Sequence, residues 1–373
     1  MHEALERRGL VRALKRDPRC IFQWSERSRI NWKRITEQTM VGCSYYMHRG
    51  LAHKADLMEM LHEYASGKPE TDGDAEILGY ALLPFRVARG KDALIELLNS
   101  CESGIWVLKA STVNNACNVH VFEDPARILR KLDEQNEFPG DGTYLLQAHV
   151  DRPLLIRKCK FHIRANVLAA GRLDVYLHQA ITLKVACKPF VFGDWDDRYM
   201  HITNHGTQKN HESFEASKHH LMLEDMDKVA EKKKNCNGDA SLPSQFVRKQ
   251  IQDIVGAVFR AAVAKGMSCF FPMQNCFEVF GFDFMVRDDF TVCLLEINSG
   301  PALFGNADKA LCSQIIDDTL RIVLDPWIDS LRPLNSAPRL NSDPQKRYCH
   351  IWSMTTSKEK KNVVFAPKWT PVY

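Results

Sequence analysis

Phe280-Gly281-Phe282-Asp283-Phe284, followed by the turn Arg287-Asp288-Asp289-Phe290 and then Leu295-Glu296-Ile297-Asn298, is the stretch whose reading decides the fold. Its alternation predicts two strands, Cys276–Val286 and Thr291–Asn298, joined by a tight turn. Period two puts Phe280, Phe282 and Phe284 on one face and Asp283 on the other. Glu296 and Asn298 are two apart, so they share a face of the second strand, and the short turn brings that face near Asp283. Two carboxylates and an amide oxygen on one surface suit Mg²⁺, which wants hard oxygen ligands and completes its shell with substrate phosphates. The competing reading is a solvated polar face on an ordinary hairpin; the strongly apolar flanks weigh against it.

Working outward, strands are expected at Cys159–Ala169, Leu173–Leu177 and Ile181–Val185, and a long helix at Phe246–Lys265. Upstream, the pattern predicts helices at Lys54–Tyr64, Lys91–Ser100 and from Asp124-Pro125 to Lys131. Strands are expected at Cys20–Trp24, Ile77–Pro84, Ile105–Lys109 and Tyr144–Gln147. Leu5, Leu10, Val11 and Leu14 fit one face of a basic helix, and residues 314–324 make a last amphipathic helix. The polar run Ser66–Asp74 reads as a linker, and the Pro-, Ser- and Lys-rich tail 331–373 as loose until Val363-Val364-Phe365. The class is α+β, divided as 1–73 (an N-terminal module), 74–150 and 151–330 (two larger parts), and 331–373 (a tail).

Composition narrows the function. The chain has 373 residues, 45% hydrophobic and 26% charged, with 50 Lys and Arg against 46 Asp and Glu. A net charge of +4 does not call for nucleic acid as partner. The longest apolar stretch, Ile251–Ala264, is short and broken by Arg260, so no membrane span is expected. The 12 cysteines are scattered without a Cys-x-x-Cys pair, the pattern of reduced thiols in the cytoplasm. His201 and His205 invite zinc, but Thr203-Asn204 and Gly206 argue for a turn there instead.

Single residues add detail. Lys109 ends an apolar strand, where it can set a point charge on nucleotide phosphates. Gln147-Ala148-His149-Val150 follows a strand and can serve as a hinge whose backbone reads adenine. Lys160, His162 and Arg164 alternate on one strand face, which suits an anionic ligand; an exposed strand face is the alternative.

The string His201-Ile202-Thr203-Asn204-His205-Gly206-Thr207-Gln208-Lys209 resembles a signature of the tubulin–tyrosine ligase family, and Phe280–Val286 with Leu294–Asn298 resembles that family's metal-binding pair. Asp17-Pro18-Arg19, Glu26-Arg27 and Leu51–Leu57 are similar to the family's N-terminal module. The resemblance covers roughly residues 15–325. It implies an ATP-grasp fold: two lobes around a nucleotide cleft, with a small N-terminal α/β module. It implies ATP and Mg²⁺ as cofactors, with Asp283, Glu296 and Asn298 as metal ligands. Lys109, Gln147, Ala148, His149, Val150, Lys160, Lys184 and Asn204 would bind the nucleotide, and Arg164 and Lys109 would be catalytic. The implied reaction adds free tyrosine to the C-terminal glutamate of detyrosinated α-tubulin through an acyl-phosphate, in the cytoplasm and at the cytoskeleton. An acidic tubulin tail calls for a basic face, for which Arg7, Arg8, Arg12, Lys15, Arg16, Arg19, Arg27, Arg29, Lys33 and Arg34 are candidates, with Lys160 and Arg164 nearer the chemistry.

The sequence also departs from the family pattern. The loop after Lys109, Thr112–Asn118, has no glycine, although glycine lets backbone N–H groups approach phosphates most closely. His162 replaces an Asp, Gln179 an Arg, Ala180 a Glu and Ala148 a lysine. These changes bear on ATP affinity and on the choice of amino acid. Two further readings therefore stay open: a tubulin-binding protein with weakened catalysis, and a tubulin ligase for another amino acid such as glutamate.

Overall fold

The computed structural model describes residues 1–13, 17–113, 119–135, 142–230, 242–301, 308–330 and 347–354. The alternating stretch is its central pair of strands. Thirteen strands are described: β1 (Phe22–Gln23), β2 (Val41–Gly42), β3 (Phe85–Arg89), β4 (Trp106–Ala110), β5 (Val119–Phe122), β6 (Thr143–Ala148), β7 (Cys159–Ala170), β8 (Asp174–His178), β9 (Thr182–Pro189), β10 (His220–Met222), β11 (Phe277–Val286), β12 (Val292–Ser299) and β13 (Tyr348–Ser353). A four-stranded sheet runs β3-β6-β4-β5. A seven-stranded sheet runs β10-β9-β7-β11-β12, with β8 beside β7 and β13 beside β8. Neighbours in both are antiparallel.

One face of the larger sheet is covered by the helix Pro243–Lys265, whose Val247, Ile251, Ile254, Val258 and Phe259 are buried. Phe259 meets Phe280 and Phe282 at ring-centroid distances of 6.0 and 6.2 Å. Ile30, Ile35, Met40 and Tyr45 from the first seventy residues join the same core. Burying these side chains is what commits the phenylalanine face inward and leaves Asp283 on the other side. The smaller sheet has its own core of Leu94, Leu98, Leu108, Ile128, Leu132 and Leu146.

Four expectations need correction. Residues expected as a strand at Ile77–Pro84 form the helix Gly73–Ala81. Asp72, placed by sequence in a linker, caps it by accepting from the N–H of Asp74 and Ala75. Asp74 is pinned to Arg260 (2.9 Å to Nε) and Tyr64, which ties the helix to Lys54–Ser66 and Pro243–Lys265. The basic N-terminal helix spans only His2–Glu6, and the turn after it closes at Gly9, whose φ is +76°. Residues 14–16 lie outside the described set. The tail is not loose throughout, because β13 adds to β8 and Arg347 clamps the fully buried Asp318 at 2.7 and 2.9 Å. Residues 363–365 also lie outside the described set. Lastly, the early basic residues are not a continuous free face. Arg8 is buried against Asp317 (2.8 Å) and Asp325 (2.6 Å), Arg19 pairs with Asp17 (2.9 Å), and Arg29 with Glu26 (3.2 Å).

Candidate active site

Antiparallel register sets Asp283 on β11 directly opposite Glu296 on β12, and opposite Arg164 on β7. Directly opposed residues project from one face. Asn298, two residues on, donates from Nδ2 to Asp283 Oδ2 (2.9 Å) and Glu296 Oε1 (3.1 Å). Arg164 grips both oxygens of Asp283, Nε to Oδ1 at 2.5 Å and Nη2 to Oδ2 at 2.9 Å. Lys54 Nζ stands 3.5 Å from Glu296 Oε2. Burial works against the charge of Glu296, but Lys54 and Lys109 together hold its pKa below the usual carboxylate range. Burial likewise works against the Arg164 guanidinium, and Asp283 more than offsets it, raising the pKa. Gly281 makes room for this pair, since a Cβ there would stand 3.2 Å from Arg164 Nε.

The donor set fits a hard divalent ion: two carboxylates and an amide whose oxygen turns inward by rotation of its terminal group. Among the described residues no three or more His, Cys, Asp or Glu are placed to hold a metal. An ion at this site would therefore depend on Asn298 and on substrate oxygens. Zinc at His201 and His205 has no such support, because their side chains part. His201 Nε2 bonds the Asp194 carbonyl (2.6 Å), while His205 Nδ1 meets His220 Nε2 (3.3 Å).

These groups open into a cleft between the two sheets, the kind of inter-lobe position that ligand sites favour. The smaller sheet contributes Val107, Lys109, Val121 and Gln147, and the larger contributes Lys160, His162, Asp283, Met285 and Glu296. Ala148, His149, Val150 and Asn204 line it too. Lys109 is 7% exposed and donates to Gln147 Oε1 at 2.8 Å. Burial pulls its pKa down to about 8, against the raising effect of Glu296. Lys160 Nζ lies 2.8 Å from His149 Nε2 and 3.4 Å from His201 Nδ1. Because His201 uses Nε2 as donor to Asp194, its Nδ1 is the acceptor. With no acid beside them among the described residues, burial takes Lys160 to about 7, and burial together with the Lys160 charge takes His149 to about 3. Phe190 stacks on His149 (6.4 Å, 15°), and Lys160 Nζ is 5.4 Å from the Phe190 centroid. A larger, open concavity elsewhere, bordered by Asp56, Glu63 and Arg86, has its charges paired at the surface with Arg49, Lys265 and Glu102. It is not the candidate site.

A sequence profile described as the tubulin-tyrosine ligase family matches residues 40–330. This chain belongs to the tubulin-tyrosine ligase family. It is similar to a probable tubulin–tyrosine ligase of Schizosaccharomyces pombe, 28% identical in an alignment of 350 positions that covers 82% of this chain and 82% of that one. It is 25% identical over 338 residues to the probable tubulin–tyrosine ligase PBY1 of Saccharomyces cerevisiae, across 78% of this chain and 43% of PBY1. A tubulin monoglycylase of Mus musculus is 25% identical over 66% of this chain, which spans only 28% of that protein. Among solved structures, the C-terminal domain of K. lactis Pby1, described as an ATP-grasp enzyme interacting with the mRNA decapping enzyme Dcp2, superimposes with a TM-score of 0.62. That pair is 22% identical, with 92% of this chain and 90% of that one covered. The fold is thus ATP-grasp, and by family and fold the protein is an ATP-dependent carboxylate–amine ligase in class. Among the described residues no helix is long and apolar enough to cross a membrane.

Within this family member, the expected residues Lys109, Gln147, Ala148, His149, Val150, Lys160, Asn204, Asp283 and Glu296 all line one cleft, and Arg164 and Asn298 adjoin it through Asp283. Lys160, His162 and Arg164 are not an exposed strand face. Lys184 does not line the cleft; it lies one strand further out, opposite His162. The backbone N–H groups of Ala148 and His149 are already given to Pro84 and Ile105, so an adenine edge would have to be read by other atoms of the hinge. Of the glycine-free loop, Asn114–Asn118 lie outside the described residues. Sequence reasoning missed Lys54, which is 5% exposed and donates to the Val113 carbonyl at 2.9 Å. A signal was there: a cation on the first residue of a helix opposes the helix dipole unless an acid elsewhere claims it.

Proposed function

We propose that this protein uses ATP and Mg²⁺ to activate a carboxylate as an acyl-phosphate and joins it to the amine of an amino acid, with tyrosine and the C-terminal glutamate of α-tubulin as the first substrates to test. The observation that carries this reading is the convergence of Asp283, Glu296 and Asn298 with Arg164, Lys54 and Lys109 at one end of the cleft, beside an apolar wall. Leu83, Val107, Val121, Met285 and Leu295 offer the adenine a dry surface. Mg²⁺, when bound, supplies charge neutralisation as the phosphoryl group moves. Lys109 and Lys54 hold positive charge at the phosphates. Arg164, already beside the carboxylates, is placed to meet charge developing on the acyl-phosphate. Asp283 orients that guanidinium through a two-point contact.

The relatives support a second choice of amine. Family members similar to this chain include a tubulin monoglycylase and a probable tubulin polyglutamylase, and Gln179 stands where the family pattern has an Arg. The Pby1 neighbour is described as a partner of a decapping enzyme, which makes a non-tubulin acceptor a third arm of the same experiment. Incubation of the protein with ATP, Mg²⁺, labelled tyrosine, glycine or glutamate, and either detyrosinated tubulin or a decapping enzyme as acceptor, tests all three. Incorporation of tyrosine alone supports the first choice, and incorporation of another amino acid replaces it. Binding of tubulin with no incorporation of any amino acid points to the weakened-catalysis reading.

A further inference from the structure

Between β9 and the helix Arg198–His201 the chain makes a short loop that is fastened to both lobes. On its own lobe, the Asp194 carbonyl accepts from His201 Nε2 (2.6 Å). Asp197 pairs with Lys188 (2.6 Å) and accepts from the N–H of Tyr199 (2.9 Å). The two residues between them reach the other lobe. Trp195 donates from Nε1 to Glu123 Oε2 (3.2 Å), and Asp196 pairs with Arg127. Glu123 follows β5, and Arg127 lies in the helix Pro125–Gln135. β5 is the outer strand of the smaller sheet, and its Val119 and Val121 line the cleft. Trp106 on β4 stands opposite Phe122 on one side and Ala148 on the other, so Glu123 sits at the hinge end of that sheet. The Trp195 ring is half-buried. It packs on His149 of the hinge (5.7 Å, 65°) and on His201 (5.5 Å, 39°), and both of these rings line the cleft. Arg127 and Asp196 are each 59% exposed, so their ion pair adds little to stability. The indole is the more substantial link, because it joins a bond to the smaller lobe with packing behind the cleft wall.

We propose that Trp195 is a positioning residue of the nucleotide site, a latch that holds the two lobes closed over bound ATP. The proposal rests on the ligase reading above for what fills the cleft. With its N–H on Glu123, the indole holds the β5 edge against the larger lobe. The same ring backs His149 and His201 where they face the cleft. Parting the lobes to release the nucleotide breaks the Trp195–Glu123 bond and the Arg127–Asp196 pair. The latch therefore adds to the barrier for release. Entry into an open cleft does not depend on it, so it acts on dissociation rather than association.

The test is stopped-flow kinetics on the full chain with Mg²⁺ and ATP carrying an N-methylanthraniloyl fluorophore on its ribose. Release is read by a chase of unlabelled ATP, and association by direct mixing. Trp195→Phe keeps a ring and removes the donor, Glu123→Ala removes the acceptor, and Glu123→Gln keeps an acceptor oxygen. Trp195→Phe and Glu123→Ala should each speed release about 3–10-fold, the size of one hydrogen bond. Association should stay within about 2-fold of wild type in both. Glu123→Gln should release the nucleotide within about 2-fold of the wild-type rate. The double variant Trp195→Phe with Glu123→Ala should be no faster than the faster single one, because both remove the same contact. Thermal melts of the nucleotide-free variants should stay near wild type, as befits changes at the surface. Should Trp195→Phe fail to fold, the exposed Glu123 carries the test through its Ala and Gln variants. Release at the wild-type rate in Trp195→Phe and Glu123→Ala overturns the proposal. So do additive effects in the double variant, a Glu123→Gln as fast as Glu123→Ala, or a change confined to association. Faster release that appears only with a collapsed melt overturns it too, by making the contact merely structural. A wild type that binds no nucleotide defeats the ligase reading and the latch with it, whereas a wild type that binds it and variants that release it alike defeat the latch alone.

Discussion

The two ends of the polar face differ in how their charges are balanced. At the β11–β12 end each charge has an opposite: Asp283 holds Arg164 at 2.5 and 2.9 Å, and Glu296 faces Lys54 at 3.5 Å. At the β7–β9 end the lysines face imidazoles: Lys160 lies between His149 and His201, and Lys184 beside His220. The first end is organised in advance, with its carboxylates already held in place by Arg164, Asn298 and Lys54. The second carries positive charge that burial disfavours, and only a bound anion relieves that cost. On the ligase reading proposed above, the first end would hold a cation together with phosphate, and the second would receive negative charge.

The largest expected effect comes from unbalancing the paired end. Asp283→Ala should bring ligase turnover below about 1% of wild type, because both the carboxylate donor and the orientation of Arg164 are lost. It should also cost about 3–5 kcal/mol of stability, since Arg164 is left buried without an acid. Turnover and urea denaturation read the two effects separately. If stability falls while turnover survives, Asp283 is only a structural partner of Arg164.

Lys109→Met should weaken ATP binding about 10–100-fold and leave stability near wild type or above it. Burial already opposes its charge, and Gln147 is the polar neighbour given up. An unchanged ATP affinity in a titration would remove Lys109 from the nucleotide site.

Lys160→Met gives the smallest effect on nucleotide binding and the sharpest comparison in pH. The folded-state pKa of Lys160, about 7, lies below the unfolded lysine value of about 10.4. Between those values the unfolded chain binds more protons, so this group makes stability rise with pH. Its destabilising effect is full below about pH 7 and gone above about pH 10. Without ligand, Lys160→Met should therefore be more stable than wild type near pH 7, and the difference should shrink toward pH 10. Thermal melts at several pH values check it; a difference that does not vary with pH would mean that Lys160 is not a disfavoured buried cation.

How much of this was legible in the sequence follows from where each signal lay. The hairpin of β11 and β12 could be read because alternation carries both the fold and the chemistry: the same period that buries Phe280, Phe282 and Phe284 exposes Asp283 to the cleft. The segment from Ile77 was misread because a short apolar run does not separate a buried helix from a strand. The deciding information was the cap at Asp72 and the pairing of Asp74 with Arg260, a residue 186 positions away. β13 was missed because its partner β8 is 170 residues upstream and the surrounding tail is polar. Lys54 was missed for the same kind of reason: its charge is met by Glu296, which the fold brings to it from the far end of the chain. Lys184 was expected at the nucleotide, but it lies one strand outside the cleft, a matter of strand order that local pattern does not carry.

The most direct test of the central claim is calorimetric titration of the wild-type chain with ATP, in Mg²⁺ and again in EDTA. The account predicts one nucleotide per chain, bound at least about 10-fold more tightly with Mg²⁺. It also predicts that this gain is abolished by Glu296→Gln. Absence of ATP binding, or an affinity indifferent to both Mg²⁺ and Glu296→Gln, would contradict it.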